Sequence, residues 1–272
     1  MIPAPFEHIV ATSVRDAIAA LQHFGDDAKL LAGGHSLIPL MKLRLATPST
    51  LIDIMGIDEL KGIRLDGETL VIGALTRHVD VERSPIVQRH APLVSAAAAL
   101  VGDPQVRNRG TIGGSVSHGD SASDLSCALL AAGAEFVVSG PSGTRTIPAS
   151  EFFLGFWTTA LMETELMVEI RVPVALQTAW SYQKFTIRSQ DWAVVSVALS
   201  GTSVVLGAMD EVPRHAVATE NALVAGASPV EAAALADEGT NPSSDLRASA
   251  DYRRHLARIL VHDALVESGT RT

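Results

Sequence analysis

Two glycine-rich stretches constrain this chain more than anything else in it. The second, residues 107–115, reads R-N-R-G-T-I-G-G-S, with Gly110, Gly113 and Gly114 beside Thr111 and Ser115. The first is Ala32-Gly33-Gly34-His35-Ser36. Glycine lets backbone approach a neighbour closely, because no Cβ intervenes. Successive exposed N–H groups can then form a concave nest for an anion. Two such loops, roughly eighty residues apart, suggest a clamp on something long and phosphorylated. Taken alone, the first loop reads equally as a tight turn that merely needs glycine. It is not a Walker loop, since no G-K-S/T follows, nor a dinucleotide fingerprint, since the third glycine is absent.

The surrounding pattern places both loops. Thr12-Ser13 and Asp16 start a helix with Val14, Ala17, Ile18 and Leu21 on one face. Lys29–Ala32 is a short strand that runs into the first loop, and Ser36 is a candidate cap for a helical turn over Leu37–Leu43. Leu51–Ile54 is another strand, and Asp66-Gly67 between apolar runs signals a hairpin. Thr76 is a candidate cap for a helix through Val81, and Pro85–Leu100 reads as one helix. Residues 101–123 read as a long loop, a length that usually marks function or disorder. Asp124 reads as the cap of a helix ending near Gly133. Strands follow at Phe136–Val138, Arg145–Ile147 and Leu166–Val172. Beyond Pro173, strands at Ser181–Thr186, Trp192–Leu199 and Val204–Leu206 precede helices at Arg214–Val224, Pro229–Leu235 and about Asp245–Glu267. Strands followed by helices suggest a separate α+β domain.

Composition excludes several function classes. At 272 residues, two or three domains are expected, and 47% apolar content suffices for a packed core. No uncharged apolar run approaches the roughly 20 residues that span a bilayer. The N-terminus lacks the pattern of a signal peptide, so a cytoplasmic location is the default. A net charge of −9 with scattered Lys and Arg argues against a nucleic-acid partner. The single cysteine, Cys127, rules out an internal disulfide and a Cys-ligated iron–sulfur cluster within this chain. It reads as a small buried residue rather than a nucleophile. No metal-binding pattern, Ser–His–Asp order or paired-carboxylate motif is present.

The remaining candidates suit a dinucleotide-like cofactor. Thr111 and Ser115 offer hydroxyls to a phosphate or ribose. Asp124 can accept from a ribose hydroxyl or simply cap its helix. Arg107 and Arg109 can neutralise phosphate or pair with surface acids. Lys184 can bond a carbonyl-like atom, and Trp192 can stack on a planar ring or belong to the core. His118 is a conceivable proton donor.

At these residues the sequence resembles a known family. Ala32–Arg44, Arg107–Ser115, Phe152–Leu161, Glu165–Pro173 and Asp251–Ala257 together resemble, in order, the FAD-binding medium subunit of the molybdenum hydroxylases. This group includes the carbon monoxide dehydrogenase medium chain and the flavin domain of xanthine dehydrogenase. The resemblance implies an α+β, vanillyl-alcohol-oxidase-type FAD-binding fold. Its parts are two α+β subdomains (1–55 and 56–174) and a C-terminal α+β domain (175–272). It implies FAD contacts at Ala32, Gly33, Gly34, His35, Ser36, Val101, Thr111, Gly113, Gly114, Ser115, Asp124, Leu166, Lys184 and Trp192. It departs from the family pattern at His35, where Gln is common, and at Ser121 and Ser126, where proline is frequent. The short segment from Leu199 to Val212 implies a curtailed strand in the C-terminal domain.

The resemblance further implies an electron relay. A molybdopterin-binding large subunit hydroxylates the substrate, a small subunit carries two 2Fe-2S clusters, and FAD on this chain passes electrons to NAD, a quinone or oxygen. Two rivals stand beside it. One is a free-standing flavin oxidase of the same fold, and the other is a non-catalytic scaffold subunit that binds nucleotide.

Overall fold

The computed structural model describes residues 2–175 and 178–270. The chain begins with β1 (Glu7–Val10), α1 (Val14–Phe24), β2 (Ala28–Leu31), α2 (Leu37–Lys42) and β3 (Thr50–Asp53). Ser13 caps α1 by accepting from the Asp16 N–H, and Ala17 and Leu21 are its buried face. The sheet order is β1-β3-β2, and β3 pairs in parallel with both neighbours. The first glycine loop leaves the carboxyl end of β2. Outside the carboxyl ends of parallel strands is where open α/β sheets commonly bind ligands.

Next come β4 (Ile63–Asp66), β5 (Thr69–Gly73), α3 (His78–Arg83), α4 (Pro85–His90), α5 (Pro92–Ala99), α6 (Pro104–Arg109), α7 (Ile112–His118) and α8 (Asp124–Ala131). They are followed by β6 (Glu135–Gly140), β7 (Gly143–Pro148), α9 (Ala149–Phe152), β8 (Phe153–Gly155), β9 (Thr158–Thr159) and β10 (Leu166–Pro173). Five strands form an antiparallel sheet in the order β4-β5-β10-β6-β7. The Asp66-Gly67 hairpin is present, with Gly67 at φ 60°.

Four local expectations are corrected here. The single helix expected over Pro85–Leu100 is two, because Pro92 has no N–H to donate and pulls Ala91 out of helical geometry. The loop expected over 101–123 contains α6 and α7, which start at side-chain caps from Asp103 and Thr111. Their glycine, proline and polar content hid the helical period. Thr76 caps no helix; its hydroxyl donates to the Gly62 carbonyl at 3.1 Å, and α3 begins at His78. Ser123, not Asp124, caps α8, which leaves the Asp124 carboxylate for other partners.

The last part holds β11 (Trp180–Phe185), β12 (Val195–Ser200), β13 (Ser203–Gly207), β14 (Arg214–His215), α10 (Val217–Val224), α11 (Pro229–Ala233) and α12 (Ala250–Thr270). The four strands pair antiparallel in sequence order. Arg214 and His215 form a two-residue edge strand on β13, so the helix expected from Arg214 starts at Val217. Trp192 lies before β12 rather than on it.

Every residue of α8 is buried. It is sandwiched between the five-stranded sheet and the C-terminal sheet, and one core joins Leu125 and Leu129 to Phe136, Ala198 and Val205. Cys127 lies in this core, and burial pushes its thiol up to about 12, which makes it inert. Phe136, Phe152 and Phe153 meet edge to face beside it, with ring centroids 4.6 to 6.1 Å apart. Phe136→Ala is expected to lower unfolding free energy by about 3–5 kcal/mol. Urea denaturation measures this, and a loss within error of zero would contradict the assignment of this core.

Candidate functional site

A cavity of about 500 Å³ is lined by residues of the three larger sheets, from β2, β10 and β11. Its size lies within the usual range for small-molecule and cofactor pockets. The first glycine loop, the α6–α7 junction, the start of β10 and residues from β11 and the loop before β12 line it. Every residue at which the family resemblance implies an FAD contact lines this one space: Ala32 to Ser36, Val101, Thr111, Gly113, Gly114, Ser115, Asp124, Leu166, Lys184 and Trp192, whereas Arg107 and Arg109 do not.

The two glycine loops touch each other through backbone. A Cβ on Gly33 would run into the Arg109 carbonyl and lie 2.7 Å from Gly110 Cα. Neither neighbour is a flexible side chain, so only glycine permits this approach. Gly114 is different. A Cβ there would meet the Thr111 hydroxyl at 2.8 Å and look across at Ala32 Cβ, 3.9 Å away. It faces the gap between the loops.

The loops offer different donors. In the first, the N–H groups of Gly34, His35, Ser36 and Leu37 make no hydrogen bond among the described residues. Ser36 occupies the N-cap position of α2, but its side chain makes no capping bond. Both its hydroxyl and these amides remain available to a ligand. In the second loop, successive free amides are not what the fold provides. Ile112 and Gly113 donate to the Thr76 and Ala74 carbonyls at 3.0 and 2.9 Å. Gly114 donates to Thr111 Oγ1 at 3.3 Å, and Ser115 donates to the Thr111 carbonyl at 3.0 Å. The second loop therefore presents mainly hydroxyls, and its amides anchor it to the strand end below.

At the other side of the cavity, Lys184 Nζ lies 2.8 Å from Asp124 Oδ2, and both side chains are 5% exposed. Tyr182 donates to Asp124 Oδ1 at 2.7 Å, and Lys184 also donates to the Leu100 carbonyl at 3.0 Å. An ammonium has three donors, so one remains for the cavity. Burial pushes the Asp124 carboxyl above its ordinary range, against the opposing pull of Lys184 and Tyr182. Trp192 is 45% exposed at the rim, so it is not a core indole. Arg107 does not reach the cavity as a phosphate partner. Its Nε donates to Glu82 at 2.8 Å, and Nη1 donates to the Val101 carbonyl at 3.1 Å. His118 lines the wall, held below its usual value by burial against the pull of Asp120.

Sequence reasoning missed two parts of this site. Leu21, Leu30 and Ile54 add apolar surface to the lining; in sequence they are indistinguishable from core positions of α1, of β2 and of the segment that follows β3. His78 also lines the cavity, and no motif surrounds it.

Residues 4–175 match the family described as FAD binding domain in molybdopterin dehydrogenase. Residues 180–268 match the CO dehydrogenase flavoprotein C-terminal domain. The chain belongs to the FAD-binding medium subunits of the molybdenum hydroxylases. It is 47% identical to the carbon monoxide dehydrogenase medium chain of Hydrogenophaga pseudoflava, over 97% of each chain. It is 33% identical to subunit alpha of the 6-hydroxypseudooxynicotine dehydrogenase complex of Paenarthrobacter nicotinovorans, over 98% of this chain and 96% of that one. A solved carbon monoxide dehydrogenase structure from Hydrogenophaga pseudoflava superposes with a TM-score of 0.95 at 46% identity, covering 100% of this chain and 99% of that one. This flavoprotein subunit of an oxidoreductase thus has the α+β fold of the medium chains.

The cavity of this medium subunit fits FAD on its own geometry: bare amides in one loop, hydroxyls in the other, and a gap at Gly114 that a side chain would fill.

One residue of the wall makes stability depend on pH. Burial, with His35 and Arg107 nearby, pushes the His78 imidazole down to about 4. The unfolded imidazole takes its proton near 6.5. Stability is therefore full above about pH 6.5 and is lost as pH falls toward about 4. His78→Phe is expected to reduce the loss between pH 7 and pH 5 by about 2 kcal/mol. Equal losses for both proteins, by urea denaturation, would contradict a buried neutral imidazole.

Proposed function

We propose that this chain is the flavin-carrying electron-transfer subunit of a molybdenum hydroxylase complex. In this reading it takes electrons from 2Fe-2S clusters on a small partner subunit and delivers them to an external acceptor: NAD, a quinone or oxygen. A molybdopterin-binding large subunit carries out the hydroxylation and selects the substrate. The observation that carries the reading is the single cavity that joins both glycine loops to the buried Lys184–Asp124 pair, in a chain that matches medium subunits over nearly its whole length.

FAD supplies the redox chemistry when bound. The chain's residues bind and orient it. The amides of Gly34 to Leu37 and the hydroxyls of Ser36, Thr111 and Ser115 hold the diphosphate. Leu21, Leu30 and Ile54 provide apolar surface in the lining. Lys184, fixed by Asp124 and the Leu100 carbonyl, directs its remaining N–H into the cavity. Trp192 covers the rim. Relatives named for carbon monoxide and for 6-hydroxypseudooxynicotine share this chain's length. That sharing supports a substrate choice made on another subunit.

The purified chain is expected to bind one FAD and show a flavin spectrum. No yellow chromophore, even after FAD is added, would sink the reading. Gly114→Val is expected to weaken FAD binding roughly tenfold or more, from the 1–3 kcal/mol of an overpacked contact. Flavin fluorescence titration measures it. Because Gly114 faces the cavity, the variant's circular dichroism should match wild type. Unaltered FAD affinity would count against the diphosphate lying in this gap.

A further inference from the structure

His78 lies outside both glycine loops, yet it underpins the second. Its Nε2 is 3.2 Å from Ser115 Oγ. Its backbone N–H donates to the Gly110 carbonyl at 3.0 Å. The imidazole occupies the space that a Cβ on Gly110 would need, 2.7 Å from Cδ2 and 2.8 Å from Nε2. The residue is 2% exposed, and its Nδ1 has no hydrogen-bond partner.

A neutral imidazole can meet Ser115 in two ways. If Ser115 donates to Nε2, the ring proton sits on Nδ1 as a buried donor without an acceptor. If Nε2–H donates to Ser115, Nδ1 is an unused buried lone pair. Buried orphan donors are rarer than under-used acceptors, so the second tautomer is favoured. It also leaves the serine's own O–H free to point into the cavity. Arg107 does not reverse this, because it is neutralised by Glu82 on the same helix as His78.

The cavity needs such a donor. Apart from histidines, its ionisable lining is Lys29 and Lys184 against Asp124, Glu163, Glu165 and Asp191. Lys184 is already bound to Asp124. An anion here must be held chiefly by N–H and O–H groups, and hydrogen bonds to a charged acceptor are the strong ones.

We propose that His78 is a positioning residue for the cofactor diphosphate: its Nε2–H holds the Ser115 hydroxyl as a donor to a phosphate oxygen. The proposal rests on the FAD reading above.

The test uses the full chain and three probes: FAD, ADP in competition with FAD, and riboflavin, which has no phosphate. Ser115→Ala and His78→Phe should each weaken FAD and ADP about ten- to hundredfold and leave riboflavin unchanged. The double variant should lose little more than either single one, because the two residues act as one unit. His78→Gln, which keeps an N–H donor, should recover most of the affinity. Nitrogen-15 NMR of histidine-labelled wild type should show the Nε2–H tautomer at His78, a readout that survives even if His78→Phe does not fold. Four results overturn the proposal: unaltered FAD affinity in His78→Phe, an equal loss for riboflavin, additive losses in the double variant, or the Nδ1–H tautomer. A wild-type chain that binds no FAD at all would instead overturn the flavin reading itself.

Discussion

The cavity depends on one contact, the backbone of Gly33 against Arg109 and Gly110. These residues belong to different sheets' connections, far apart in sequence. Their meeting sets the width of the gap that Gly114 and Ala32 face. Interiors are close-packed and transmit strain. Any side chain at residue 33 would force the loops apart and carry the Thr111 and Ser115 hydroxyls away from the amides of the first loop. The glycines therefore do two jobs. Gly33 sets the distance between the jaws, while Gly114 leaves room between them.

The C-terminal sheet completes the site through Asp124. Tyr182 and Lys184 are two residues apart on β11, so they share a face of the strand. Together they occupy both carboxylate oxygens of a residue in the first turn of α8. A buried ion pair is a weak source of net stability, yet removing one partner typically costs about 3–5 kcal/mol. Its effect here is registration. It ties the third sheet to the helix sandwiched beneath it, and it holds the Lys184 ammonium at the cavity wall, where a freely rotating lysine would stay in water.

Much of this was legible from residue pattern. The Asp66-Gly67 hairpin, the α1 cap and the strand entering the first loop followed from turn chemistry and periodicity. The glycine pairs pointed to two loops that share one cavity. What the pattern hid has physical causes. The helices α6 and α7 are short and built from residues of poor intrinsic helicity, so their caps and tertiary packing decide them. The division at Pro92 was readable, since proline is tolerated at a helix start and not in its interior. Asp124 and Ser123 are both good caps, and only the third sheet's Tyr182 and Lys184 decide between them. The difference in donors between the two loops was out of reach, because it turns on whether distant carbonyls, those of Ala74 and Thr76, consume the amides.

His78 illustrates how a site shows itself by a local loss. A phenylalanine would fill the same buried slot over Gly110 without an orphan nitrogen or a depressed imidazole. Stability alone therefore does not explain a histidine there. Asp124 is the opposite case: it is equally buried, but both of its oxygens are satisfied. Where one buried polar residue is fully matched and another is left half-matched beside a cavity, the second is the stronger pointer to a bound molecule, since consistency across levels is what folding alone selects. The one side-chain hydrogen bond of His78 among the described residues is directed at a hydroxyl on the cavity wall. Its usefulness thus lies in what that hydroxyl can then hold.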